Sequence, residues 1–198
     1  MRRIFIFTIA LFHFVSLCSQ KKHINDSFNY QIREALGDIN NDGIADKAEI
    51  SMDTLHETRP LKLNVFVSQP DGTSILFFSG TDMIQAMYPQ ELNGEYNGNQ
   101  IPNVSIEGGK LQLEFYVKGN ALYEFIYTNG VFELIHFKYV NWDGRNITET
   151  TFNLLTGKYV SQSEIHETSE VTQTINAKII INPLPVLKNF KPFQYNLF

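Results

Sequence analysis

Between Val104 and Ile181 the chain runs in short stretches of alternating apolar and polar residues, most of them closed by a turn containing glycine. Leu111, Leu113, Phe115 and Val117 alternate with Gln112, Glu114 and Tyr116. A period of two puts the apolar set on one face of an extended strand and the polar set on the other. Gly108-Gly109, Asn129-Gly130, Asp143-Gly144 and Thr156-Gly157 supply the backbone freedom that tight hairpins need, and Asn-Gly is the strongest short hairpin signal. Hairpins in series make antiparallel sheet. The expected fold is therefore mainly β, either an antiparallel sandwich or a bent meander sheet.

Upstream, Ala48, Ile50 and Met52 alternate with charged or polar neighbours. Residues 61–67 read as a second strand, with 74–78 as its partner across the turn Gln69-Pro70-Asp71-Gly72. Phe28, Ile32, Ala35 and Leu36 stand at helical spacing, with Ser27 as a cap and Gly37 as a stop. That spacing predicts one short helix over 27–36. Residues 82–103 hold no period and read as a long loop with one helical turn at most. The meander continues through 104–107, 110–117, 121–127, 131–140, 147–154 and 159–167 to a last strand lined by Val171, Ile175, Ala177, Ile179 and Ile181. Pro183 and Pro185 end it, and Leu187, Phe190 and Phe193 are expected to drape the tail over the sheet. Tyr123, Phe125, Tyr127, Phe132, Phe137 and Tyr139 are expected in the core rather than at a ligand platform.

The N-terminus sets the compartment. Arg2 and Arg3 precede an apolar run, residues 4–15, and small or polar residues follow at Ser16, Ser19 and Gln20. A charged start, a short apolar core and a small-residue exit make a signal peptide over 1–19, leaving a single β domain over 20–198. The run is shorter than the roughly 20 residues that span a bilayer, so no transmembrane helix is expected. The reading is a secreted or periplasmic protein. The alternative is an outer-membrane lipoprotein, cut before Cys18 and lipidated there, although Leu17 is bulky for the position beside a lipidated cysteine. Cys18 is the only cysteine, so the mature chain has no disulfide to stabilise it. Without Arg2 and Arg3, 14 basic residues face 21 acidic ones, and the net charge moves from -5 to about -7. Such a balance disfavours nucleic acid and anionic membrane surfaces, and it suits a cation.

One segment carries legible chemistry. Asp38-Ile39-Asn40-Asn41-Asp42-Gly43-Ile44-Ala45-Asp46 reads D-x-N-x-D-G-x-x-D. Oxygens of Asp38, Asn40 and Asp42, at alternate positions, can converge on one hard cation while Gly43 permits the turn. Ile44 can offer its backbone carbonyl, and Asp46 closes the shell directly or through water. Glu49, at the twelfth position, completes the pattern D-x-[DN]-x-[DN]-G-x5-E and is a possible additional ligand. Many flexible oxygen donors favour Ca²⁺ over Mg²⁺. A metal-free turn is the competing reading, because Asp and Asn bond their own backbone and Gly takes positive φ.

At these residues the chain resembles the calcium loop of FG-GAP and VCBS-type repeats, in which a strand follows the loop. More loosely, it is similar to secreted bacterial proteins that join one such loop to a β meander, with Asn153-Leu154-Leu155-Thr156-Gly157-Lys158 and the proline-rich stretch 183–190 as further echoes. The resemblance implies Asp38, Asn40, Asp42 and Asp46 as ligands. It does not imply a β-propeller, which needs several repeats where this chain has one loop. EF-hands and dockerins share the loop but continue into a helix, which Ala48, Met52 and Leu55 could line and Ile50 fits badly.

Other chemistry is not legible. His56, His136 and His166 are scattered without metal spacing. No nucleophile elbow, phosphate loop or catalytic cysteine is present. Asp71, Asp82, Glu91 and Glu95 read as solvated carboxylates, and Trp142 as a turn aromatic that either packs a hairpin tip or contacts a partner. The expected function is an exported, non-enzymatic Ca²⁺-binding module for a protein or glycan. The alternative is a hydrolase whose carboxylates assemble from the 82–103 loop and the sheet.

Overall fold

The computed structural model describes residues 27–98, 100–117 and 119–193. Residues 1–19, expected to be a signal peptide, and Cys18 within them lie outside the described residues. Eleven strands run in chain order: β1 (Tyr30–Gly37), β2 (Asp46–Met52), β3 (Leu61–Ser68), β4 (Ser74–Gly80), β5 (Asn103–Glu107), β6 (Lys110–Phe115), β7 (Asn120–Thr128), β8 (Val131–Trp142), β9 (Asn146–Asn153), β10 (Lys158–Ile165) and β11 (Val171–Lys178). They form two antiparallel meander sheets, β1-β2-β3-β4 and β11-β10-β9-β8-β7-β6-β5. The only other regular elements among the described residues are two single 3-10 turns, Gln90–Leu92 and Leu187–Asn189. The first is the one turn of helix in the long 81–102 connection.

The hairpin signals act as read. Asn129 and Gly130 both take positive φ, 49° and 82°, which matches the right-handed twist of β7 and β8. Gly108 and Gly109 do the same between β5 and β6. The alternation sets the buried face: Leu111, Leu113 and Phe115 of β6, Tyr123 and Phe125 of β7, and Phe132, Leu134 and Phe137 of β8 are buried. They share one core with Ala48, Ile50, Leu63 and Val65 from the smaller sheet.

The helix expected over 27–36 is not there; the segment is strand β1. A bulge between Gln31 and Arg33 inserts an extra residue opposite β2. The bulge lets Ile32 and Ala35, three residues apart, both pack against the core. An apolar spacing of three therefore imitated a helix, and backbone pairing with β2 overrode the local preference. Gly37 ends the strand for a reason other than a helix stop. A Cβ there would lie 2.7 Å from the Ile106 carbonyl oxygen, so the close approach of β1 to β5 requires glycine.

The tail closes the open edge at the start of β8. Val186 bridges to Glu133, the Leu134 N–H donates to the Pro185 carbonyl at 2.8 Å, and Leu187 and Phe190 are buried. Phe193 stays 42 % exposed, with its N–H donating to the Tyr123 hydroxyl at 3.2 Å. Burial pushes the Tyr123 phenol up to about 12. Below pH 10 the phenol is neutral in both states and its contribution to stability is complete. Between about 10 and 12 the unfolded chain ionises first, and roughly 2 to 3 kcal/mol is lost. Urea midpoints at pH 9 and pH 11 are expected to differ more for the native chain than for Tyr123→Phe. Equal differences would remove Tyr123 as the source.

Candidate functional site

The Asp/Asn-rich segment is the connection from β1 to β2, and its ends are tied together. Gly37 and Asp46 form the last rung of the β1–β2 ladder. Ile39 is buried and roots the connection in the core. Asn41 and Gly43 take positive φ, 59° and 86°, and between them they fold the chain back. The tip rests on the β5–β6 turn: a Cβ on Gly109 would lie 2.5 Å from Asn41 Nδ2.

Inside this frame the oxygens gather on one side. Asp42 N–H is shared by Asp38 Oδ1 at 3.0 Å and Asn40 Oδ1 at 3.1 Å. Asp38 Oδ2 accepts the Gly43 N–H at 2.8 Å, and Asp42 Oδ1 accepts the Ile44 N–H at 2.8 Å. Asn40 Nδ2 donates to Asp42 Oδ2 at 2.8 Å. Asp38, Asn40 and Asp42 are thus brought together on the half-buried to exposed rim of the loop, where Asp38 Oδ1 and Asn40 Oδ1 share one backbone N–H. All are oxygen donors, and each accepts at least one N–H bond within the loop. Ile44 is half-buried beside them.

Asp46 stands apart. It is completely buried, and its two oxygens hold two backbone donors from different elements. Oδ2 accepts the Ile39 N–H at 2.9 Å, and Oδ1 accepts the Ser68 N–H at 2.8 Å. The Ser68 hydroxyl donates to the Ala45 carbonyl at 2.7 Å. Asp46 therefore braces the loop against the end of β3. Among the described residues no three His, Cys, Asp or Glu side chains cluster as metal donors. The trio that does gather has the amide of Asn40 between two carboxylates.

After the loop the chain continues as strand β2, so no helix leads away from it as in an EF-hand. Asp46, Ala48 and Ile50 face the core, which puts Glu49 on the opposite face of β2. There Glu49 pairs with Lys47 Nζ at 2.9 Å and accepts from Asn64 Nδ2 at 3.2 Å.

The histidines do not meet. His56 Nδ1 accepts the Thr58 N–H, His136 lies 3.3 Å from Glu124, and His166 packs beside Trp142, which is 62 % exposed. Asp71 caps its own turn, where the Thr73 hydroxyl and N–H hold its carboxyl below the usual range. Asp82 and Glu91, in contrast, line one open cleft of about 730 Å³ together with His56, Gln100, Lys191 and Phe193. The β2–β3 and β4–β5 connections, Phe115 of β6 and the tail build this cleft, so no sequence period announces it. Glu95 is exposed and is not among its lining residues.

No family model matches the chain, and no curated protein or solved structure matches it. Among the described residues, no helix is long and apolar enough to cross a membrane.

Proposed function

We propose that this is an exported, non-enzymatic β module whose 38–46 loop takes one Ca²⁺ ion. The observation that carries the reading is the convergence of Asp38, Asn40 and Asp42 within a loop held at both ends by Gly37 and Asp46. Asp38 and Asp42 supply charge, Asn40 a neutral oxygen, and the Ile44 carbonyl a further one. Asp46 holds the frame and reaches the ion through its remaining lone pairs or a water; Glu49 takes no part. The N–H groups that the side-chain oxygens now accept would share those oxygens with the cation, which removes the repulsion between the two rim carboxylates. The bound ion stiffens the hairpin that seats the small sheet on β5 and β6. The charged and apolar start of the chain supports export. The mass of the mature N terminus separates a free start at Gln20 from lipidation at Cys18. Partners of such a module are surface proteins or glycans, with no nucleic acid.

Ion binding restricted to the folded state stabilises it by about 2.7 kcal/mol when Ca²⁺ is a hundredfold above its dissociation constant. A chelator is expected to lower the melting temperature, and Asp42→Ala to abolish the difference between Ca²⁺ and chelator. No calorimetric heat with Ca²⁺, together with identical melting in both conditions, would reduce the loop to an Asx-rich turn.

A carboxylate-dependent hydrolase is the second reading. The observation in its favour is the cleft that Asp82, Glu91 and His56 share. Turnover of a glycoside or ester panel that disappears in both Asp82→Asn and Glu91→Gln would establish it; no turnover leaves the module.

A further inference from the structure

The larger sheet runs past its cover. All eight residues of β11 are exposed, including Val171 and Ile175 at 51 % and 43 %. Among the described residues β11 pairs with β10 only, and its outer edge presents a row of backbone donors and acceptors. After a bulge at Thr172, residues 173–178 are regular.

The charges at the two ends of this ribbon differ in sign. At one end Lys158 and Lys178 lie directly opposite each other across β10 and β11, a like-charge pair that repels. At the other end stand Glu164, Glu167 and Glu170, with Arg145 nearby through the bond from the His166 N–H to its carbonyl. Among the described residues no ion pair engages Lys158, Lys178, Glu164 or Glu170. The other sheet edges differ. β4 has Asp71 before it and Asp82 after it, the same sign at both ends. β1 keeps five regular residues after its bulge, 33–37, against six in β11, and β5 has five residues and lies beside β1.

We infer that β11 is the edge on which a second copy of this chain docks, antiparallel, to form one continuous sheet of 14 strands through the two larger sheets. Antiparallel edges are related by a twofold axis perpendicular to the sheet, so the contact is isologous. An axis at Ile175 pairs Ile175 with its copy and Asn176 with Thr174 of the second copy, clear of the bulge. It also lays the Lys158–Lys178 end of each ribbon over the Glu164–Glu170 end of the other. The charge layout thus selects the antiparallel arrangement and rejects the parallel one.

Sedimentation equilibrium on the chain as recovered from cells tests this. The native chain is expected to be a dimer. Lys158→Glu with Lys178→Glu, or Glu164→Lys with Glu170→Lys, each leaves two like-charged ends facing in a self-pair and should weaken dimerisation roughly tenfold or more. An equimolar mixture of the two double variants restores opposite charge at both ends and should form a mixed dimer of native strength. Leu76→Lys, on the β4 edge, should leave the native dimer unchanged. A monomeric native chain at concentrations on the order of 100 µM would overturn the proposal. So would double variants with the native dissociation constant, a mixture that stays monomeric, or a dimer lost in Leu76→Lys.

Discussion

Asp46→Ala is expected to cost about 4 kcal/mol of stability. The side chain is completely buried and accepts from the Ile39 and Ser68 N–H groups. Both donors lose their acceptor once the carboxylate is gone, and each stranded donor costs about 1 to 3 kcal/mol. The two donors belong to different parts of the fold, so the loss also detaches the loop from β3. Asp46→Asn keeps one acceptor and turns an amide N–H toward the other donor, so it should lose at least one bond, about 2 kcal/mol. Urea denaturation in chelator measures both without interference from a bound ion. A cost below about 1 kcal/mol for Asp46→Ala would show that water takes over both donors, and the bracing role would fall. The comparison with Asp42→Ala is informative. Asp42 is exposed at the rim, so in chelator its removal should cost far less than that of Asp46.

Phe190→Ala should be comparably severe, at about 3 to 5 kcal/mol. Its ring is buried against Tyr123 and Phe125, with centroids 4.7 and 5.1 Å apart in near-perpendicular contacts. These rings belong to β7, near the middle of the larger sheet, and the tail is their cover. Truncation opens a cavity at a site anchored on both sides, where the backbone is pinned by Pro185 to Leu134 and the ring stack cannot collapse inward. Phe190→Leu retains most of the volume and should lose less than half as much. If the two variants unfold at the same denaturant concentration as the native chain, the tail is not a structural strap. The same experiment bears on the cleft, because Lys191 and Phe193 form one of its walls.

The parts legible in the sequence are those set by near neighbours. Asn129-Gly130 and Gly108-Gly109 form their hairpins because positive φ is a property of those residues themselves. The alternation in 110–115 and 121–127 placed Leu111, Leu113, Tyr123 and Phe125 on the buried face, because the period of a strand is local. The bounds of the Asp/Asn loop were legible for the same reason, as was the gathering of Asp38, Asn40 and Asp42. What only the tertiary structure decided is whatever depends on a distant partner. Residues 30–37 became a strand because β2 offered a ladder and a bulge absorbed the apolar spacing of three. That Asp46 also braces the Ile39 and Ser68 N–H groups, the second 22 residues away, is set by the fold and not by the loop's own spacing. Ile175 and Ala177 share a face of β11, as their spacing requires, but the bulge at Thr172 turns Val171 to the other face, and all three lie exposed. Periodicity states which side chains lie together; whether another layer covers them depends on where the chain goes next, and no local pattern records that.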